Sequence, residues 1–258
     1  MPPPHAQLTE DEGVITVTFD RQDKRNAISP EMTALLWEAA TALAERDDLR
    51  VLVITNRGPF FSAGIDIASL ALDAPASRAY AQQALRANYA RHHALYDTFE
   101  SIEKPIVLAA NGHCYGAGLE MAVSCDFRLA SAATTFRLPE IALGVIAGSG
   151  GSSRLARLVG PHWAKWLAMA NQQVDAEQAR QMGLVHDVYP TEEFEERVRA
   201  FAHELIALPA EALGVAKLAV DLAADVDRTS QRHIDRLANT SLMQSDEFRQ
   251  RTARFRSS

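Results

Sequence analysis

Cysteine is almost missing from this 258-residue chain, which holds only two. Cys114 and Cys125 cannot build the disulfide framework of a small secreted domain and read as small hydrophobic residues of a reduced, cytoplasmic protein. Long apolar runs are missing as well. None approaches the roughly 20 residues a membrane helix requires. Met1 to Gly13 holds three prolines and no Lys or Arg, unlike a secretory or transit segment. An excess of positive charge is also absent: 26 Lys and Arg against 33 Asp and Glu leave a net charge of −7, which argues against general nucleic-acid binding. The eight histidines show no metal-ligand spacing. His92 and His93 are neighbours on a predicted helix, so they point apart and cannot share an ion as residues four apart do. The glycines and prolines are scattered, with no low-complexity tract and no short repeat.

What is present is an ordinary globular composition, 47% hydrophobic and 23% charged. A chain of this length buries about 70–75% of its unfolded surface, so its core needs no staple. Strands and helices alternate. Val14 to Phe19 alternates in polarity and reads as a strand; Asp20 to Ala27 is polar and turn-like; Ser29 and Pro30 are a helix start, with that helix running to about Arg46. Val51 to Thr55 and Ile106 to Ala110 are unbroken apolar runs, the pattern of strands buried on both faces. Arg57 to Gly64 reads as a loop and Arg78 to Ser101 as a helix. A Gly-rich turn spans Asn111 to Gly118, with a short helix from Leu119 to Ser124, and short strands follow at Phe127 to Ala130 and Thr134 to Phe136. A second Gly-rich loop, Gly144 to Ser153, opens another helix. Asp175 with Gln178 matches a capping box, Leu184 to Val188 reads as a last strand, and three helices are expected beyond Thr191, broken near Pro209 and Asp227. The expected division is an α/β core over 1–190 and a helical region over 191–258.

Three segments could carry chemistry. In Asn111 to Glu120 a buried strand ends in a glycine turn and a helix begins; exposed N–H groups there suit a developing oxyanion, or the segment is a tight connection without a ligand. Phe60 to Ile67 repeats the arrangement after the strand at 51–55 and supplies a second donor, or is a plain βα loop. Glu120 lies in an otherwise apolar helix, and Glu140 between Pro139 and Ile141. Two such carboxyls, if they converge, have pKa values pushed apart and suit general acid–base work; otherwise they are solvated or paired, with Arg137 at hand. Gly148 to Gly151 lacks both the phosphate-loop Lys and the dinucleotide spacing, and Ala147 breaks the G-x-S-x-G pattern around Ser149.

Taken together, these segments resemble the crotonase superfamily, the enoyl-CoA hydratase/isomerase group. The matching pieces stand in the family's order: RQDKRNAIS at 21–29, FFSAGIDI at 60–67, KPIVLAANGHCYGAGLEMAVSCDFRLAS at 104–131, TTFRLPEIALGVIAGSGGSSRL at 134–155 and AEQARQMGLVHDVYP at 176–190. The resemblance implies an α/β fold, a ClpP/crotonase-like spiral of ββα units, with a C-terminal helical trimerisation region and a trimer or dimer of trimers. It implies an acyl-CoA thioester substrate, no metal or redox cofactor, and neither a nucleic-acid nor a membrane partner. The backbone N–H groups of Ile65 and Ala117 would form the oxyanion hole. Glu120 and Glu140 would be the hydratase pair, adding water syn across the 2,3 double bond, with Gly148 helping to place the water. Backbone around Ala27, Ala63, Asp66, Ile67 and Gly116 would line the CoA site, and Lys24 or Arg25 would meet phosphates. Leu70, Leu72, Tyr80, Leu85 and Tyr89 would suit an acyl chain or a helix core. Ala117 and Ile65 stand where relatives often carry smaller residues, and Ala147 where Pro is common. The alternatives are a 3,2-enoyl-CoA isomerase working with Glu140 alone, and a non-catalytic acyl-CoA- or RNA-binding member.

Overall fold

The computed structural model describes residues 4–70 and 78–256, so Leu72 lies outside the described residues. The chain opens with an antiparallel hairpin, β1 (Ala6–Asp11) and β2 (Val14–Phe19). The first of these strands is not among those expected, because its outward face is polar throughout. Ser29 accepts from the Met32 N–H and caps α1 (Pro30–Glu45), whose Met32, Leu36, Ala39, Ala40 and Leu43 are buried.

The chain then winds three times through the same sequence of elements. The first turn is β3 (Val51–Asn56), β4 (Phe60–Ser62) and α2 (Arg78–Ser101). The second is β5 (Ile106–Ala110), β6 (His113–Tyr115) and α3 (Ala117–Ala122). The third is β7 (Phe127–Ser131), β8 (Thr135–Arg137) and α4 (Gly151–Ala168), with a 3₁₀ turn at Pro139–Leu143 before the helix. The first strand of each turn joins one sheet and the second strand joins another. The larger sheet runs β1-β2-β3-β5-β7-β10 and the smaller one β4-β6-β8-β9, where β9 is Val174–Asp175 and β10 is Asp187–Tyr189. The pairs β3–β5, β5–β7, β4–β6 and β6–β8 are all parallel. Stacked ββα turns of this kind are the spiral that the resemblance implies.

α5 (Ala176–Gln181) carries the expected capping box between Asp175 and Gln178. Beyond it lie α6 (Phe194–Ile206), α7 (Ala210–Leu222), α8 (Arg228–Met243) and α9 (Asp246–Arg256). These are four helices where three were expected, because the chain also breaks at Gln244 and Ser245, a place without Pro or Gly to mark it. The last strand starts three residues later than expected; Leu184 and Val185 are buried in the turn ahead of it. β4 and β6 lie inside segments read as loops, since three-residue strands leave no periodicity to detect. α6 packs its Phe194, Val198, Ala202 and Leu205 against Val51, Val53, Val107 and Leu129 of the larger sheet. α7 to α9 expose much of their surface, Val220 and Leu237 included. Among the described residues no helix is long and apolar enough to cross a membrane.

Candidate active site

The three strands β4, β6 and β8 are parallel neighbours, so their C-terminal ends lie side by side, where parallel α/β sheets bind ligands. Ile65 follows the end of β4 by three residues, Ala117 that of β6 by two and Glu140 that of β8 by three. The topology therefore gathers these three expected site residues at one edge.

The turn ahead of α3 is built on Gly116, whose φ of 55° and ψ of −127° suit glycine. It leaves the Ala117 N–H at the first position of α3, where no intrahelical acceptor exists. Ile65 forms a parallel bridge with Ile28: the Ile28 N–H donates to the Gly64 carbonyl and the Asp66 N–H to the Ile28 carbonyl. Both of those bonds are made by Ile65's neighbours in the chain. The two backbones approach closely, for a Cβ at Gly64 would sit 3.6 Å from the Ala117 nitrogen. The Ala117 carbonyl accepts from the buried Tyr96 hydroxyl at 3.3 Å, which ties α3 to α2.

Glu120 comes from the same short helix and is 3% exposed. Its Oε1 accepts two backbone hydrogen bonds, from Ser149 at 2.7 Å and Gly151 at 3.1 Å. Gly151 starts α4 and must be glycine for room: a Cβ there would fall 2.6 Å from Glu120 Cγ. Burial raises the Glu120 pKa, and the two N–H donors oppose that rise. Glu140 lies against the Gly116 turn, its Oε1 2.9 Å from where a Cβ on Gly116 would be. Its Oε2 is buried without a hydrogen-bond partner. Burial, and behind it the charge of Glu120, pushes the Glu140 pKa up to about 7. The carboxyls thus converge with different environments: burial raises both, but two N–H donors oppose the rise at Glu120 and Glu140 has an oxygen without a partner. Arg137, the partner considered for them, instead donates to Asn171 Oδ1 at 3.0 Å.

The remaining expected positions surround this centre. Lys24 and Arg25 are exposed on the 21–27 turn, with the Arg25 guanidinium 5.5 Å from the Phe60 ring centroid. The Ala63 N–H is engaged by the Arg25 carbonyl. The Asp66 carboxylate is paired with Arg21 at 2.7 Å, a mostly buried pair, so it meets no ligand as a free charge. Arg21 also donates to the Ala27 carbonyl at 3.2 Å, and Ile67 is exposed. Gly148 approaches the site through its carbonyl, which accepts from His93 Nε2 at 2.8 Å; the N–H groups that reach the carboxylate belong to Ser149 and Gly151.

Several organising residues escaped the sequence reading. Asn26 lies in the polar turn of Asp20 to Ala27, yet it is fully buried. Its Oδ1 accepts from the Arg21 N–H at 2.6 Å and its Nδ2 donates to the Phe60 carbonyl at 2.6 Å. The one available signal was an Asn in a tight turn, a residue that tolerates the left-handed conformation found here, φ 51°. Tyr89, His93 and Arg154 reach the site from α2 and α4. Burial, and behind it the charges of both glutamates, raise the Tyr89 pKa. Among the described residues no cluster of His, Cys, Asp or Glu could hold a metal.

Comparison with known proteins agrees with this architecture. The enoyl-CoA hydratase/isomerase family model matches residues 9–257. A crotonyl-CoA hydratase of Syntrophomonas wolfei is 32% identical over 235 residues, covering 88% of this chain and 86% of the relative. The 4-chlorobenzoyl coenzyme A dehalogenase-2 of an Arthrobacter species is also 32% identical, over 213 residues, covering 83% of this chain and 76% of the relative. The crystal structure of an enoyl-CoA hydratase from Bacillus anthracis superposes with a TM-score of 0.88 at 25% identity, covering 98% of this chain and 96% of that one. Relatives of equal identity bear different reaction names, so the side chains at the strand ends must distinguish the reaction. With a family model spanning nearly the whole chain, three ββα turns and a site at their strand ends, this protein belongs to the enoyl-CoA hydratase/isomerase family of the crotonase superfamily.

Proposed function

We propose that this protein is an enoyl-CoA hydratase, adding water syn across the 2,3 double bond of a 2-enoyl-CoA to give a 3-hydroxyacyl-CoA. The observation that carries this reading is the pair of converging carboxyls in unlike surroundings, Glu120 on two backbone N–H donors and Glu140 with an unpartnered oxygen and a pKa pushed up to about 7. The thioester carbonyl lies between the N–H groups of Ile65 and Ala117, each contributing about 3 kcal/mol to an enolate-like transition state. Water lies between the glutamates. Glu120, whose Oε1 is tied down by Ser149 and Gly151, uses its other oxygen to take a proton as the water oxygen bonds to C3. The electron pair of the double bond moves onto the thioester, and neutral Glu140 gives its proton to C2. Glu120 has then gained one proton and Glu140 lost one, and a single transfer between them restores the pair. Because the two carboxyls interact, their titration belongs to the pair.

Gly148 disfavours a dienoyl isomerase, which would carry an acid near that position. A Cβ there would meet the Tyr89 ring at 2.7 Å, so no side chain fits. The CoA moiety runs along Ala27, Ala63, Asp66, Ile67 and Gly116, with Lys24 and Arg25 as local cations for its phosphates. The enzyme works in the cytoplasm without a metal or redox cofactor, as a trimer or dimer of trimers joined through the helical region 191–258.

The test follows the ultraviolet absorbance of the conjugated enoyl thioester. Crotonyl-CoA should lose absorbance with the wild type, and Glu120→Gln and Glu140→Gln should each lower kcat by at least about 100-fold. A rise with a 3-enoyl-CoA and no fall with crotonyl-CoA would identify an isomerase and remove the role given to Glu120. Salt-sensitive RNA binding without turnover would favour the non-catalytic alternative.

A further inference from the structure

One face of α2 grips the loop that holds Glu120. Tyr89 and His93 are one helical turn apart and share that face. Both touch Gly148: the Tyr89 ring packs on it so closely that a Cβ would not fit, and His93 Nε2 lies 2.8 Å from its carbonyl oxygen. A carbonyl can only accept, so Nε2 carries a hydrogen and donates it. Further along α2, Asp97 and Glu100 bind Arg154 of α4 at 2.5 and 2.6 Å, which fixes the loop from its far end.

The Gly148 carbonyl and the Ser149 N–H belong to one planar trans peptide unit, so fixing one end fixes the direction of the other. That unit accepts from His93 at its oxygen and donates to Glu120 Oε1 at its nitrogen, 2.7 Å away. A hydrogen bond to the oxygen also polarises the peptide and strengthens its N–H as a donor. From this geometry we infer that His93 is a positioning residue for hydration: through the 148–149 peptide it orients Glu120 and leaves the second carboxylate oxygen to the water. His93 itself touches no reacting atom. The inference rests on the hydratase reading, since it is Glu120's role as base that gives the peptide its work.

The test compares His93→Leu, which fills the space without a donor, with His93→Gln, whose amide N–H has similar reach. Crotonyl-CoA hydration by the wild type is measured first, and no turnover of any enoyl-CoA would remove the hydratase reading itself. Given turnover, H93L should lower kcat by about 10- to 100-fold, the cost of a slightly misplaced catalytic group, with KM changed less than about twofold. The acidic limb of its kcat/KM profile should move to higher pH, because the N–H bond that holds the Glu120 pKa down is weakened. Glu140, Tyr89, Tyr96 and Arg154 also face Glu120 and are the same in all variants, while the direct charge of His93, which favours the Glu120 anion, is lost in both and cancels between them. H93Q should recover most of the activity and bring the limb to lower pH than in H93L. CoA affinity, which the 21–27 turn governs, should be the same in all three and reports folding. An H93L enzyme within twofold of wild type with an unmoved limb overturns the inference. So does an H93Q enzyme that binds CoA but is impaired as deeply as H93L; should H93L fail to fold, H93Q alone decides in this way.

Discussion

At the scale of single residues, the two glutamates differ through their surroundings and not their chemistry. Glu120 is buried against backbone N–H donors, whereas Glu140 keeps an unpartnered oxygen and a pKa near 7. The latter has a consequence for stability. A carboxyl whose folded pKa lies above its unfolded value stabilises the fold at low pH and loses that contribution as pH rises through the folded pKa. Wild type should therefore lose stability between about pH 4.5 and pH 7, the window set by this one group. Glu140→Gln cannot ionise and should be more stable than wild type at pH 8 by about 1–3 kcal/mol, with no such advantage at pH 4. Thermal melts at the two values check this, and an equal difference at both would contradict it. Glu120 was legible in the sequence because a Glu among Leu, Met, Ala and Val needs a reason to be buried, whereas Glu140, half-buried beside the exposed Ile141 and Leu143, was legible through the order of the family motifs. His93 and Asn26 were not, since their work is done on backbone groups that only the fold brings near: Gly148 is 55 residues from His93, and Phe60 is 34 from Asn26.

At the scale of elements, the site is the shared end of three short parallel strands, and α3 and α4 meet over it. The contact between these helices leaves no space at Gly151. Gly151→Ala should displace the Glu120 side chain, lowering kcat by about 100-fold while CoA binding changes less than about twofold; overpacking costs the fold about 1–3 kcal/mol. Calorimetric CoA binding beside the hydration assay separates the two effects, and an active G151A enzyme would show that Glu120 is not held where it must be. Long elements were readable. Ser29-Pro30 starts α1 and the apolar runs give β3 and β5, because propensity and burial agree there. Of the smaller sheet, β8 was readable as the short strand near Thr134 to Phe136, whereas β4 and β6 were not, since they lie in glycine-bearing turns and owe their pairing to the spiral. The wound topology itself came from the order of family motifs, not from periodicity.

At the scale of the whole molecule, large apolar side chains stand exposed on several helices of the chain. Trp163 and Trp166 on α4 and Val220 and Leu237 on α7 and α8 are 38%, 46%, 72% and 75% exposed. In the trimer or dimer of trimers proposed above, a second copy would cover side chains of this kind. Light scattering should give three or six times the monomer's 28.3 kDa, and Leu237→Asp should shift the population toward smaller species; a wild-type monomer at micromolar concentration would contradict the trimer. The chain's charge of −7 opposes a highly anionic CoA at long range, so recognition must rest on local cations and backbone groups.

The measurement that bears most directly on the division of labour between Glu120 and Glu140 is the pH profile of kcat/KM for crotonyl-CoA hydration, which reports groups of the free enzyme. A neutral acid and an ionised base predict a bell whose alkaline limb falls from about pH 7, where Glu140 ionises. Its acidic limb should lie at lower pH, where Glu120 becomes protonated. A profile flat to pH 9, or no hydration at any pH, would contradict the account.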